Sequence, residues 1–184
     1  MSDRVSMTVL LCEDDPQEQL VRSYLTRCGQ STQPPMFRTR NASREVHGGN
    51  VDRVINEFPK ELLACRRRHS VRANTRLIVV ADADNHSPAQ RKQHFQKDSQ
   101  GNEQMLGGDP VMLLIPKRHV EAWIRAALGT MVNEDGDYKN PEPTRSEIRQ
   151  AADQIYEWAR DNAEPGPTCP ESLRAALPEW RKIC

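Results

Sequence analysis

Carboxylates stand at or just beyond the ends of three apolar runs in this chain: Glu13-Asp14-Asp15 after residues 7–12, Asp82-Ala83-Asp84 after residues 77–81, and Glu121 shortly past residues 112–115. Such an oxygen-rich set suits a hard divalent cation, and Mg²⁺ commonly takes one or two carboxylates and completes its shell with water and substrate phosphates. Runs this apolar read as strands covered on both faces, and parallel strands of an α/β sheet bring their carboxyl ends to one edge. Acidic residues roughly a hundred positions apart can therefore meet in space. The chemistry served by such a site is phosphoryl transfer, in which acidic side chains hold metal and nearby groups move the proton and carry developing charge. Glu13, Asp82, Asp84 and Glu121 are the candidate metal ligands and catalytic acids, with Lys117 or His119 to supply the rest.

Each position also has a plainer reading. Asp14 and Asp15 can cap a helix and meet its dipole, Asp84 can shape the turn before Ser87-Pro88, and Glu121 can be an ordinary first-turn acid. His119 has no partner at metal-ligand spacing. Asp82 is the hardest to explain as a turn residue, because it directly terminates a strand that reads as central.

The elements that must position these residues alternate. Residues 7–12 form a strand, and a helix follows at once: Asp15 as cap, Pro16 at the first position, Glu18 at capping-box spacing, then a stripe of Leu20, Val21, Tyr24, Leu25 and Cys28 ending at Gly29. Residues 36–40 read as a short second strand, with Gly48-Gly49 breaking the chain before the next helix. Val51, Val54, Ile55, Phe58, Leu62, Leu63 and Cys65 mark that helix's apolar face, interrupted at Pro59. The strand at 77–81 leads to a Ser87-Pro88 helix start, residues 97–109 to an exposed loop, and residues 110–115 to the next strand. Pro116 opens a helix carrying Val120, Trp123, Ile124, Ala127 and Leu128 and stopped by Gly129. After an acidic linker at 131–143, Thr144-x-x-Glu147 is a capping box heading an amphipathic helix, and a short last helix spans 170–177. The expected organisation is an α/β domain at 1–130 with a linker and helical extension at 131–184.

A chain of 184 residues with 36% hydrophobic content can bury one real core. Lys and Arg number 26 and Asp and Glu also 26, which argues against binding nucleic acid by global charge alone and leaves local patches. The densest is Arg66-Arg67-Arg68-His69 with Arg72 and Arg76, most simply a solvated helix end; Arg91-Lys92 and Lys117-Arg118-His119 lie nearer the acidic strand ends. Five cysteines without C-x-x-C spacing, and no signal-like opening segment, read as reduced thiols in a cytoplasm, with Cys12 and Cys28 in the core. No apolar run approaches the roughly 20 residues of a membrane span.

Two family resemblances compete for the acidic residues. The segment Val9-Leu10-Leu11-Cys12-Glu13-Asp14-Asp15-Pro16 with its following helix looks like the first strand and acidic pair of a response-regulator receiver domain. Where a receiver would have its third strand and phospho-accepting Asp, however, this chain has Asn56-Glu57-Phe58-Pro59, and Pro116-Lys117 reverses the receiver's Lys-Pro. Over residues 8–129 the chain resembles Toprim-like metal-dependent phosphotransfer domains, which have a Glu after the first strand and an Asp-x-Asp after a later one, as Glu13 and Asp82/Asp84 stand here. The run Ile115-Pro116-Lys117-Arg118-His119-Val120-Glu121-Ala122-Trp123-Ile124 is similar to a segment of small stand-alone Toprim-like proteins related to the nuclease parts of overcoming-lysogenization-defect enzymes. One departure is Asp14, where the family commonly has Gly beside its Glu.

This resemblance implies an α/β, Rossmann-like, mostly parallel sheet flanked by helices and a Mg²⁺- or Mn²⁺-dependent nuclease acting on DNA or RNA in bacterial anti-phage defence. Glu13 would be acid/base or ligand, Asp82, Asp84 and Glu121 ligands, and Lys117 a stabiliser of transition-state charge. The resemblance also implies an ATPase partner, which would be a separate chain because no nucleotide-binding Gly-rich loop is present. A homodimer or a basic partner would offset the neutral charge in substrate binding. The alternatives are a receiver-like module phosphorylated on an Asp such as Asp82, and a non-catalytic interaction subunit docking through its C-terminal helices.

Overall fold

Apolar residues on both sides of a strand demand cover on both faces of the sheet, and the chain supplies it with two helical layers. The computed structural model describes residues 5–44, 51–70, 74–160 and 163–184, apart from the side chain of Ser70. Four strands, β1 (Met7–Cys12), β2 (Phe37–Asn41), β3 (Thr75–Val80) and β4 (Val111–Leu114), form one all-parallel sheet in the order β2-β1-β3-β4. The helices are α1 (Asp15–Arg27), α2 (Val51–Ser70), α3 (Pro88–Gln96), α4 (Val120–Ala127), α5 (Arg145–Ala159) and α6 (Glu171–Ile183), with a 3-10 turn at Ala42–Arg44. The expected α/β class with a parallel, Rossmann-like sheet is therefore what the chain forms.

The period-2 alternation of the strands divides the core. Leu10, Ile78, Val80, Met112 and Leu114 pack against α1, α4, α5 and α6, whereas Val9, Leu11, Leu77, Val79, Val111 and Leu113 pack against α2 and α3. Trp123 of α4 and Trp180 of α6 are fully buried in the first layer. Helices α5 and α6 thus share one core with the sheet. The end of α6 is held at the opposite side from the acidic strand ends: Tyr24 Oη donates to Trp180 O at 3.0 Å, Gln30 Nε2 donates to Ile183 O at 2.7 Å, and buried Arg76 also donates to Ile183 O.

Local chemistry sets the boundaries. Gly29 at φ 72° and Gly129 at φ 94° end α1 and α4, each with the next residue's N–H bonded back across the last turn, Gln30 N to Leu25 O and Thr130 N to Arg125 O. Capping boxes at Ser87/Gln90 and Thr144/Glu147 start α3 and α5.

Several sequence expectations are corrected. The cap of α1 is Asp14, one residue earlier than expected, so Asp15 and Pro16 begin the helix. Pro59 does not interrupt α2: burial of Val54, Phe58, Leu62 and Cys65 on one side holds the helix through the position that lacks an N–H, while Leu63 faces outward, 48% exposed. Helix α4 begins at Val120 rather than at Pro116, and α6 continues through Pro178 to Ile183 because Trp180 and Ile183 are buried. Cys28 is not a reduced core thiol but is joined to Cys184 in a disulfide, Cα atoms 5.4 Å apart, whereas Cys12, Cys65 and Cys169 are free and buried. A separation of 156 positions hid the pair from any reading of spacing. The Gly48-Gly49 break and Arg72 lie outside the described residues. Among those described, no helix is long and apolar enough to cross a membrane.

Candidate functional site

The chain runs from β1 outward to β2 and then returns to place β3 on the other side of β1, so β1 and β3 flank a topological switch point. Crevices beyond the carboxyl ends of strands at such a point are where open α/β sheets bind ligands. Glu13 follows β1 there, and Asp82 follows β3 by one residue. The Asp82 N–H donates to Glu13 Oε1 at 2.5 Å. Gln17, wholly buried in the first turn of α1, ties the two together: its Oε1 accepts from Glu13 N at 2.9 Å and its Nε2 donates to Asp82 Oδ1 at 2.9 Å. Asp14 caps α1 through a bond from Gln17 N at 3.1 Å.

The turn after β4 adds the remaining groups. Glu121, in the first turn of α4, is 3% exposed, and its Oε2 has no hydrogen-bond partner. His119 Nδ1, likewise buried and without a hydrogen bond, lies 3.7 Å from Asp82 Oδ2. Asp84 stands at φ 53°, a left-handed conformation that a short polar residue tolerates better than most, and pairs with Arg91 at 3.8 Å. The helix N-termini of α1 and α4 both approach the cluster, and their dipoles favour negative charge.

Too many acids share too little water here for all to ionise freely. Burial, then the charges of Asp82, Asp84 and Asp14, push the Glu13 carboxyl up to about 9, against the lowering effect of the Asp82 N–H bond. Burial raises Asp82 well above the ordinary range, with Asp14, Glu121 and Asp84 adding to it and Lys139 opposing. Glu121 and Asp14 are raised as well, burial leading in both. Burial, then Lys139, lowers the His119 imidazole, which favours its neutral form. The cluster therefore favours protonated carboxyls where positive charge is lacking.

A hard divalent cation fits the donor set: clustered carboxylates, one of them with a buried unpartnered oxygen. Among the described residues no group of three or more His, Cys, Asp or Glu side chains is preassembled at ligand spacing.

Of the residues expected from sequence, Glu13, Asp82, Asp84 and Glu121 come together at this edge. Lys117 instead pairs with Asp135 at 3.0 Å, and the adjacent Arg118 donates to Asp135 O, so this basic run anchors the loop at 129–144. That loop brings in a cation the sequence reading did not single out: the charge of Lys139 acts on Asp14, Asp82, His119 and Glu121. Nothing local marks Lys139, because the tertiary path of the loop places it. Gln17 was also missed, although Asp14-x-x-Gln17 has capping-box spacing one residue ahead of the Asp15-x-x-Glu18 reading.

Fold and site together define an α/β protein with a buried acidic crevice at the switch point of a four-stranded parallel sheet. No protein-family model, curated protein or solved structure matches the chain.

Proposed function

We propose that this chain is a Toprim-like, Mg²⁺- or Mn²⁺-dependent nuclease that hydrolyses phosphodiester bonds of DNA or RNA. The observation that carries the reading is the convergence of Glu13, Asp82 and Glu121, all nearly buried, with Asp14 and Asp84 at one switch-point crevice. Glu13, Asp82, Asp84 and Glu121 would hold the cation. When bound, it supplies Lewis-acid polarisation of a phosphoryl oxygen and a water acidified toward neutrality. Glu13, whose carboxyl burial and neighbouring acids push up to about 9, would serve either as a ligand, giving up its proton to solvent, or as the acid/base that moves the proton of the attacking water. His119 lies beside Asp82, and Lys139 would supply the transition-state charge stabilisation first expected of Lys117. Its setting, by the same resemblance, is bacterial anti-phage defence beside a separate ATPase.

The test is cleavage of plasmid, linear, single-stranded and RNA substrates with Mg²⁺ or Mn²⁺, by the chain alone and with co-purified partners, comparing wild type with Asp82→Ala and Glu13→Ala. Metal-dependent cutting lost in both variants is expected. Cutting that survives both, or none under any condition, removes the mechanism.

One observation favours a second reading. The order β2-β1-β3-β4 is that of the first four strands of flavodoxin-like sheets, the class that includes receivers, and Asp82 stands just past the end of β3 beside the acids after β1. A receiver-like chain would take up phosphate on Asp82 from acetyl phosphate, whereas the nuclease would not.

A further inference from the structure

Arginines line a groove of about 640 Å³ along the outer face of α1, beginning at Asp15. Arg22, Arg44, Arg145 and Arg149 contribute four positive charges, against Asp15 and Glu18. Asp15 adjoins Asp14, so the groove opens beside the crevice. A second concavity of about 490 Å³ shares Arg22, Ser23 and Arg149 with it and continues past Asp153 to Arg27, which pairs with Asp153 and Glu157. From Asp15 to Arg27 the path follows α1 for about 18 Å, the length of roughly five phosphates along one strand.

The arginines differ in what they already do. Arg22 bonds Glu18 at 2.7 Å and Thr32 O at 2.7 Å and lies over the Phe37 ring, and Arg44 bonds Asp15 at 2.9 Å and Glu18 at 3.1 Å. These two neutralise the groove's acids. Arg145 and Arg149 are exposed and make no hydrogen bond or ion pair with any described residue. Both sit near the helix N-terminus, where positive charge opposes the dipole, and spacing of four puts the two like charges side by side; the acid four residues beyond Arg149, Asp153, is already engaged by Arg27. An anion in the groove would repay both penalties. The lining contains no aromatic side chain for base stacking, but Ser23, Thr32, Gln19 and Gln33 can donate to phosphate oxygens.

We infer that this arginine groove between α1 and the start of α5 is a nucleic-acid backbone track, gripping phosphates without reading sequence and leading the strand to the acidic crevice. It shares with the proposed function the premise of a polyanionic substrate, but it stands or falls on binding alone. The experiment is fluorescence anisotropy in EDTA, where metal-dependent cutting is absent, with labelled duplex DNA, single-stranded DNA and RNA over a salt series. Wild type is compared with Arg145→Ala/Arg149→Ala and with Lys60→Ala/Arg174→Ala, an equally charge-changed pair outside the groove. Removing Arg145 and Arg149 should weaken binding on the order of ten-fold near 0.1 M salt and lower the log–log salt slope by about 1.4 to 1.8, two contacts at 0.7 to 0.9 each. The control pair should leave both unchanged, and the preferred oligonucleotide identifies the nucleic acid. No wild-type binding at low salt, equal losses in the two double variants, or displacement by an acidic peptide as readily as by unlabelled oligonucleotide overturns the track. Binding as expected in a protein that never cuts would leave the track standing and sink the nuclease reading instead.

Discussion

Gln17 is the residue that lets two acids share a buried edge, since it satisfies Glu13 through the backbone N–H and Asp82 through a side-chain oxygen. Gln17→Ala leaves both of those buried groups without a partner, a loss of about 1–3 kcal/mol for each group so stranded, and urea unfolding should register it. Glu13→Gln should behave differently. The Glu13 carboxyl is pushed up to about 9 on folding, so the neutral amide is close to isosteric with the metal-free state; melting temperature in EDTA should match wild type near pH 4.5 and exceed it at neutral pH, where only the wild type must take up a proton to fold, while metal-dependent cleavage falls at least about a hundred-fold. A variant that melts early, or one that cuts normally, would argue against the proton and the role assigned to Glu13. The ligand candidates were legible because each follows an apolar run, and parallel strands share an edge. In the sequence His119 is only an alternative to Lys117, without a partner at ligand spacing, and its approach to Asp82 comes from the fold; Lys139 was not legible at all, because the path of its loop rather than any spacing places it.

At the scale of elements, the C-terminal stop of α4 offers a clean test of how backbone conformation ends a helix. Gly129 holds φ 94° with nothing within 4 Å of where a Cβ would stand, so Gly129→Ala meets no clash and its cost is conformational alone, about 1–2 kcal/mol. A change near zero in denaturant unfolding would show that the turn relaxes to another conformation. Stops such as Gly29 and Gly129, and starts such as Ser87-Pro88 and Thr144-x-x-Glu147, were readable because capping chemistry is local. Expectations failed where tertiary burial overrides it: Pro59 and Pro178 remain inside helices whose apolar faces are held, and Trp180 and Ile183 draw α6 past its expected end. The strand order and the Cys28–Cys184 pairing were illegible for the same reason, since both are fixed by contacts between distant segments.

For the whole molecule, the acidic crevice sets how stability responds to pH and to cations. Glu13 binds its proton more tightly folded than unfolded, so its contribution is fully present below the ordinary value of 4.5 and is lost as pH rises toward about 9; Asp82 and Glu121, also raised, act in the same direction. Acids outside the cluster run the other way. Asp109, lowered chiefly by its hydrogen bond from Arg66, and Glu147, lowered chiefly by the Thr144 N–H, lose their stabilising effect as pH falls below the ordinary carboxylate range. In EDTA the protein should therefore be most stable in mild acid, with its melting temperature declining as pH rises across the Glu13 window. Mg²⁺ reverses that trend if it occupies the crevice, because it must displace protons and so binds better as pH rises, and a ligand at a hundred times its Kd adds about 2.7 kcal/mol to the folded state. The check is a grid of melting temperatures over pH, with EDTA or Mg²⁺, for wild type and Asp82→Asn. A decline in EDTA that Mg²⁺ abolishes in wild type, with the Mg²⁺ effect lost in Asp82→Asn, is the expected pattern. A metal-free melting temperature that holds level or climbs across the window, with no response to Mg²⁺, would mean that the clustered carboxylates neither store protons nor receive a cation, and the phosphotransfer reading would lose its physical basis.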